Sequence, residues 1–285
     1  MENNDWHAGF VSAMKLELLE DEDNLIFDEE HHIANRAQRI DLLIIKKIRD
    51  LEIGKSIGKA FGMFNILEYK GPGDNLTYED FHKVMGYAHL YFSERRDSQS
   101  YGNNDYSVTL IQEAFPRKMF SLMERDGLMV KQTAKAVYEI GIGEIFRTQV
   151  IVTKDLPRDE YVWLKSLTQH GTKQNIEDII NETRRLGKRY KELTDSVMNT
   201  FAKGNTEVIL QVEKEDKEMC EAIEEIFAEK HRRELEEKDI ALAEKDTVIR
   251  AISREKDSAV KETEALKARV EELSKIVNEM MMAKA

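Results

Sequence analysis

Asp41, Glu68 and Lys70 are the residues whose types and spacing could do chemistry. Asp41 interrupts the apolar run Arg39-Ile40-Asp41-Leu42-Leu43-Ile44-Ile45-Lys46-Lys47. Glu68 and Lys70 close a second run, Phe64-Asn65-Ile66-Leu67-Glu68-Tyr69-Lys70, which stops at Gly71-Pro72-Gly73. Both runs have strand length, are rich in apolar and β-branched residues, and are bounded by turn formers, the pattern of two buried strands. The pleat repeats every second residue, so Glu68 and Lys70 share a face. A buried carboxylate is costly unless something compensates it. The three residues are therefore either a structural ion cluster or a metal site. As a metal site, two carboxylates on neighbouring strands can hold one or two Mg²⁺ and leave positions for water and substrate. A lysine beside them can ease the formation of hydroxide or stabilise charge building on a phosphoryl group.

The flanking sequence must supply the elements that hold these strands. Trp6 to Leu19 reads as a helix with Phe10, Met14 and Glu17 near one face, ended by the acidic cluster Glu20 to Asp23. Asn24 to Ile33 reads as a strand. After the Gly71–Asp74 turn, Thr77 with Asp80 three residues on is close to a capping box, opening a helix to about Ser93. That helix is aromatic on one side, with Phe81, Met85, Ala88, Tyr91 and Phe92 facing a sheet. Asp105 to Gln112 alternates like a strand, Phe115 to Arg125 like a short helix. Leu128 to Ile140 and Ile145 to Thr153 read as two further strands. Pro157 is expected to open a helix, where a first-turn proline is tolerated. Helices over 175–186 and 192–202 follow. This is a mixed α/β core over residues 1–155 and a helical extension over 156–204.

The run of an Asp-bearing strand, a Glu68-Tyr69-Lys70 strand, a Pro/Gly turn and an aromatic helix resembles the core of the PD-(D/E)XK nuclease superfamily. More narrowly, it is similar to its bacterial transposase-associated, recombination-promoting members. The resemblance covers roughly residues 6 to 155, and Ile40 stands where proline often precedes the aspartate. It implies a restriction-endonuclease-like fold and hydrolysis of DNA phosphodiesters with Mg²⁺ or Mn²⁺. Asp41 and Glu68 would be metal ligands and Lys70 the catalytic lysine. Many members also carry a ligand glutamate on the first helix, and Glu17 is the residue that fits. A nuclease fold kept only as a protein- or nucleic-acid-binding module is the alternative.

Other residues invite chemistry less strongly. Gly54-Lys55-Ser56-Ile57-Gly58-Lys59 lacks the spacing of a phosphate loop and reads as a flexible connector. His31 and His32 are adjacent on a strand and point to opposite faces, so they share a metal poorly. Arg184, Arg185, Lys188, Arg189 and Lys191 form a basic run that either meets phosphates or is a solvated face balanced by nearby acids. Tyr78, Tyr87 and Tyr91 read as packing residues. Cys220 lacks the basic neighbours that mark a nucleophile.

Composition bounds the rest. One cysteine excludes a disulfide framework and points to a reducing, cytoplasmic setting. No leader-like or membrane-spanning apolar run is present in the sequence. The net charge of −12 argues mildly against a nucleic-acid coat protein, but it is uneven: 15 Lys/Arg against 22 Asp/Glu lie after Gly204. That segment, 205–285, contains no proline or glycine beyond Asn205. Heptad a positions at Leu235, Leu242, Ile249, Lys256, Thr263, Val270 and Val277 leave d positions at Lys238, Lys245, Ile252, Ala259, Leu266, Leu273 and Met280. Most are apolar, and the two-position seam predicts a coiled coil over 235–280, on the order of 70 Å long, that pairs the chain with a second copy.

Overall fold

In the computed structural model of the chain, the described residues are 6–32, 39–95, 100–141 and 145–215, with single positions 219, 223, 245, 266, 267, 269 and 270. The chain divides into two compact units, Met1–Phe227 and Ala228–Ala285. In the second unit the described positions, Lys245, Leu266, Lys267, Arg269 and Val270, are helical. The remainder of the heptad seam lies outside the described residues.

The first unit is a mixed α/β fold. Its elements are α1 (Trp6–Glu17), β1 (Leu25–His32), β2 (Arg39–Lys46), β3 (Phe64–Lys70), α2 (Tyr78–Glu94), β4 (Tyr106–Gln112), α3 (Arg117–Arg125), β5 (Met129–Ala134), β6 (Val137–Gly141) and β7 (Arg147–Val152). Among the described residues four helices follow: α4 (Val162–Lys165), α5 (Lys173–Leu186), α6 (Lys191–Gly204) and α7 (Thr206–Glu215). The seven strands form one sheet in the order β1-β2-β3-β4-β7-β6-β5. β1, β2 and β3 are successive antiparallel neighbours, β3 to β4 and β4 to β7 are parallel, and β6 and β5 return antiparallel.

Side-chain alternation explains the layers. Leu42, Ile44, Leu67 and Tyr69 face a core shared with Phe10 and Met14 of α1 and with residues of α4, α5 and α6. Leu43, Phe64 and Ile66 face the opposite core, built with Phe81, Val84, Ala88 and Tyr91 of α2 and Met119 and Met123 of α3. β3 and β4 lie at the centre, covered on both sides, which is why their sequences are almost continuously apolar. The helices after residue 155 pack into the same core as α1 and belong to the same compact unit.

Three details depart from the sequence reading. The run 128–140 is two strands, β5 and β6, joined in a hairpin where Ala136 takes a positive φ of 66°. Pro157 opens no helix; its carbonyl accepts from the Tyr161 amide in a turn, and α4 begins at Val162. The Gly54–Lys59 connector is an anchored segment: Lys55 pairs with Glu17, and the Ser56 and Tyr161 hydroxyls hydrogen-bond at 2.8 Å. The Gly62 backbone lies against β4, where an added Cβ would fall 2.4 Å from the Asp105 carbonyl oxygen. Because that neighbour is backbone, Gly62→Ala is expected to cost about 1–3 kcal/mol. Urea denaturation of the variant checks this.

Candidate functional site

β2 begins where β3 ends. Leu42 lies opposite Leu67, the last paired residues at this end, and Asp41 and Glu68 are the next residue of each strand. Asp41 sits at an irregularity in β2. Ile40 and Leu43 both join the α2-side core, so strict alternation slips between them, and Glu30 of the adjoining strand takes a φ of 49°. The Asp41 Oδ2 accepts from the Tyr69 amide at 2.9 Å, so this carboxylate holds the end of β3. The His7 Nδ1, from the first turn of α1, lies 3.5 Å from the same oxygen. Tyr69 stacks on Phe10 at a centroid distance of 4.6 Å and meets the His7 ring edge-on at 6.1 Å. Together these contacts pin α1 over one side of the strand end.

Glu68 points to the other side, toward α2. Its side chain is only 7% exposed, and the Lys83 Nζ stands 3.4 Å from Oε1. Burial first, and the Asp41 charge second, push the Glu68 carboxyl up to about 6, with Lys83 and Lys70 opposing. Lys70 lies within reach of Glu68 electrostatically, but its ammonium is ion-paired with Asp80 Oδ1 at 2.8 Å. Asp80 is also the reciprocal partner in the capping box of α2: its amide donates to Thr77 Oγ1 at 3.1 Å, and its Oδ2 accepts from the Thr77 amide at 3.0 Å. Burial alone would favour the neutral acid at Asp80, yet Lys70 and Thr77 hold it below the usual carboxylate range. The turn between β3 and α2 is tied down by Gln112 of β4, whose Oε1 accepts from the Leu76 amide at 2.6 Å.

The structure thus brings Asp41, Glu68 and Lys70 to one end of the sheet and adds Lys83, Asp80 and His7. Sequence reasoning had not singled out these last three as site residues. Lys83 was accessible from the helix period, since it lies one turn beyond the Asp80 cap. His7 required knowing how α1 crosses the sheet.

Glu17 is not part of this group. His7, beside Asp41, is ten residues away on α1, which at 1.5 Å per residue puts Glu17 roughly 15 Å along the helix. Its side chain is fully enclosed: Oε1 accepts from the Trp163 and Leu164 amides at 2.9 and 3.1 Å, and Oε2 meets Lys55. Burial raises its pKa, and Lys55 with the two amides opposes that. Glu17 shares the α1 face with Phe10 and Met14 as its spacing requires, but the end of the helix it occupies makes it a cap for α4 and not a ligand beside Asp41. Among the described residues, no three His, Cys, Asp or Glu side chains are grouped to hold a metal.

His31 Nδ1 lies 2.6 Å from Asp28. Arg185, Arg189 and Lys191 of the basic run pair with Glu182, Glu22 and Asp195. Tyr87 and Tyr91 are core and Tyr78 packs at its edge; Cys220 lies outside the described residues. No helix among the described residues is long and apolar enough to cross a membrane. Comparison of the chain with protein-family models, curated proteins and solved structures finds no match.

Two outcomes follow from these placements. A carboxyl raised from 4.5 to about 6 contributes stability that is complete below about 4.5 and lost as pH rises through 6. Glu68 therefore costs the fold about 2 kcal/mol at pH 7.5. Glu68→Gln should flatten the fall in stability between pH 4.5 and 7, measured by urea denaturation across that range. Glu17→Ala should lose about 3 kcal/mol without any metal present, because it strands a buried cap and its lysine; the same titration reads it.

Proposed function

We propose that this chain hydrolyses DNA phosphodiesters with a divalent cation held by Asp41 and Glu68. The observation that carries the reading is the pair itself: two carboxylates from adjacent strand ends, crowded enough that burial and mutual repulsion raise Glu68. The donor set fits a hard cation, since Mg²⁺ is commonly held by one or two carboxylates with waters and phosphate oxygens completing its shell. Bound there, Mg²⁺ or Mn²⁺ would supply Lewis acidity and a more acidic water. The element order of a helix, three antiparallel strands, a helix and a parallel strand supports the resemblance to PD-(D/E)XK nucleases and a restriction-endonuclease-like core.

The protein's own groups have distinct tasks in this scheme. Asp41 and Glu68 fix the cation by charge, and the Tyr69 amide keeps Asp41 oriented. Lys70 stands on the same face of β3 as Glu68, where its ammonium can stabilise negative charge on the attacking oxygen or the phosphoryl group. To reach it, Lys70 exchanges its Asp80 partner for substrate. Lys83, half-exposed beside Glu68, offers a second cation to a phosphate oxygen. The acidic net charge is no obstacle, as the cation supplies local positive potential. The exposed Leu266 and Val270, at d and a positions, support pairing of two copies through the 235–280 heptads.

A second reading has its own observation. Lys70 is held inside the α2 capping box, which suits a nuclease fold retained as a binding module. Plasmid nicking separates the two. With Mg²⁺ or Mn²⁺ the wild type should convert supercoiled to open-circular DNA, and Lys70→Ala should lower the rate by at least 100-fold while keeping its melting temperature. Asp41→Ala should be equally inactive. Equal nicking by wild type and Lys70→Ala would refute the assignment, and salt-sensitive DNA binding without nicking would establish the binding module.

A further inference from the structure

The far end of the sheet carries a second feature, independent of Asp41 and Glu68. Where β2 ends and β3, β4 and β7 begin, a cavity of about 520 Å³ opens. Glu68 lies five residues along the chain from Met63 of the lining, so the two are separated by about 17 Å of strand. Its volume falls in the range of small-molecule sites.

Its lining is cationic in an unusual way. Arg49 also faces the cavity, but both arms of its guanidinium are taken by Asp105, at 2.7 and 2.5 Å. Three cations remain: Lys46, Lys59 and Arg147. The side chains of Lys59 and Arg147 are exposed and make no ion pair with any described residue. Lys46 is 4% exposed, and its ammonium donates to two neutral acceptors, the Leu51 carbonyl at 2.8 Å and the Phe61 carbonyl at 3.2 Å. An ammonium has three donors, so one is unused. Asp50 and Glu52 also line the cavity and are exposed. They leave the cations in excess by one after the Arg49–Asp105 pair is set aside.

We propose that this cavity binds the terminal phosphate of a small phosphorylated molecule, with Lys46, Lys59 and Arg147 as its cationic partners. The monoester is favoured over a nucleic-acid backbone by depth. A backbone phosphate is flanked on both sides by sugars and meets exposed cations, whereas a terminal phosphate can project inward to an ammonium as buried as that of Lys46. The Gly58–Lys59 end of the connector serves the site although its spacing is not that of a phosphate loop: Gly58 closes against Ile53, and Lys59 follows at the cavity wall. Burial and the Arg147 charge disfavour the Lys46 ammonium, and Asp50, Asp105 and Glu52 oppose them.

Isothermal titration of the full chain at constant ionic strength tests this, using inorganic phosphate, phenyl phosphate and dimethyl phosphate as probes and chloride as the control. Inorganic phosphate and phenyl phosphate should bind saturably, and both should weaken at least tenfold in the Lys59→Gln/Arg147→Gln double variant. Both substitutions are at exposed side chains, so the fold should survive; thermal denaturation without ligand verifies that. Lys70→Ala should bind like the wild type, which separates this site from the proposed catalytic one. Binding no stronger than chloride, or unchanged in the double variant, would overturn the site. Dimethyl phosphate binding as tightly as phenyl phosphate would overturn the assignment to a monoester.

Discussion

The structure depends on a repulsion held in place. Asp41 and Glu68 stand at facing strand ends, one engaged by the Tyr69 amide and the other buried under α2. Water would screen such a pair at little cost, but burial does not, and the consequence is a carboxyl that titrates near 6. An apolar residue at 68 would escape that penalty, and the carboxylate kept there is the physical argument for the proposed cation.

The surrounding elements keep this arrangement from relaxing. α1 is fixed at its start by His7 on Asp41 and by Trp6 over Gly71, and at its end by Glu17 capping α4. α2 is fixed at its start by the Thr77–Asp80 box, which also takes Lys70. The two helices lie on opposite faces of the sheet, with His7 of α1 beside Asp41 and Lys83 of α2 beside Glu68. Lys70 is different: its partner is an exchangeable ion pair, and that makes it the adjustable member of the group.

Much of this was legible in the sequence because it rests on local patterns. The two strands announced themselves through apolar runs with an acid in each, and the capping box through Thr77 and Asp80. Glu17 was misplaced for a reason that periodicity cannot remedy. Helical spacing put it on the face of Phe10 and Met14, which is correct, but not at which end of α1 the strand terminus would fall. The β5–β6 hairpin was hidden because Lys135-Ala136 is a weak turn signal, and Ala136 reaches its positive φ under tertiary constraint. The cationic cavity was equally invisible, since Lys46, Lys59 and Arg147 are far apart in the chain and converge only through strand order.

The central claim is that Asp41 and Glu68 together hold a divalent cation. Calorimetric titration of Mg²⁺ and Mn²⁺ at pH 6, in two buffers of different ionisation enthalpy, tests it most directly. Because burial and Asp41 push the Glu68 carboxyl up to about 6, binding should release protons at that pH. Both the heat of binding and the proton release should vanish in Asp41→Ala. Binding that persists in that variant, or that releases no proton in the wild type, would contradict the account.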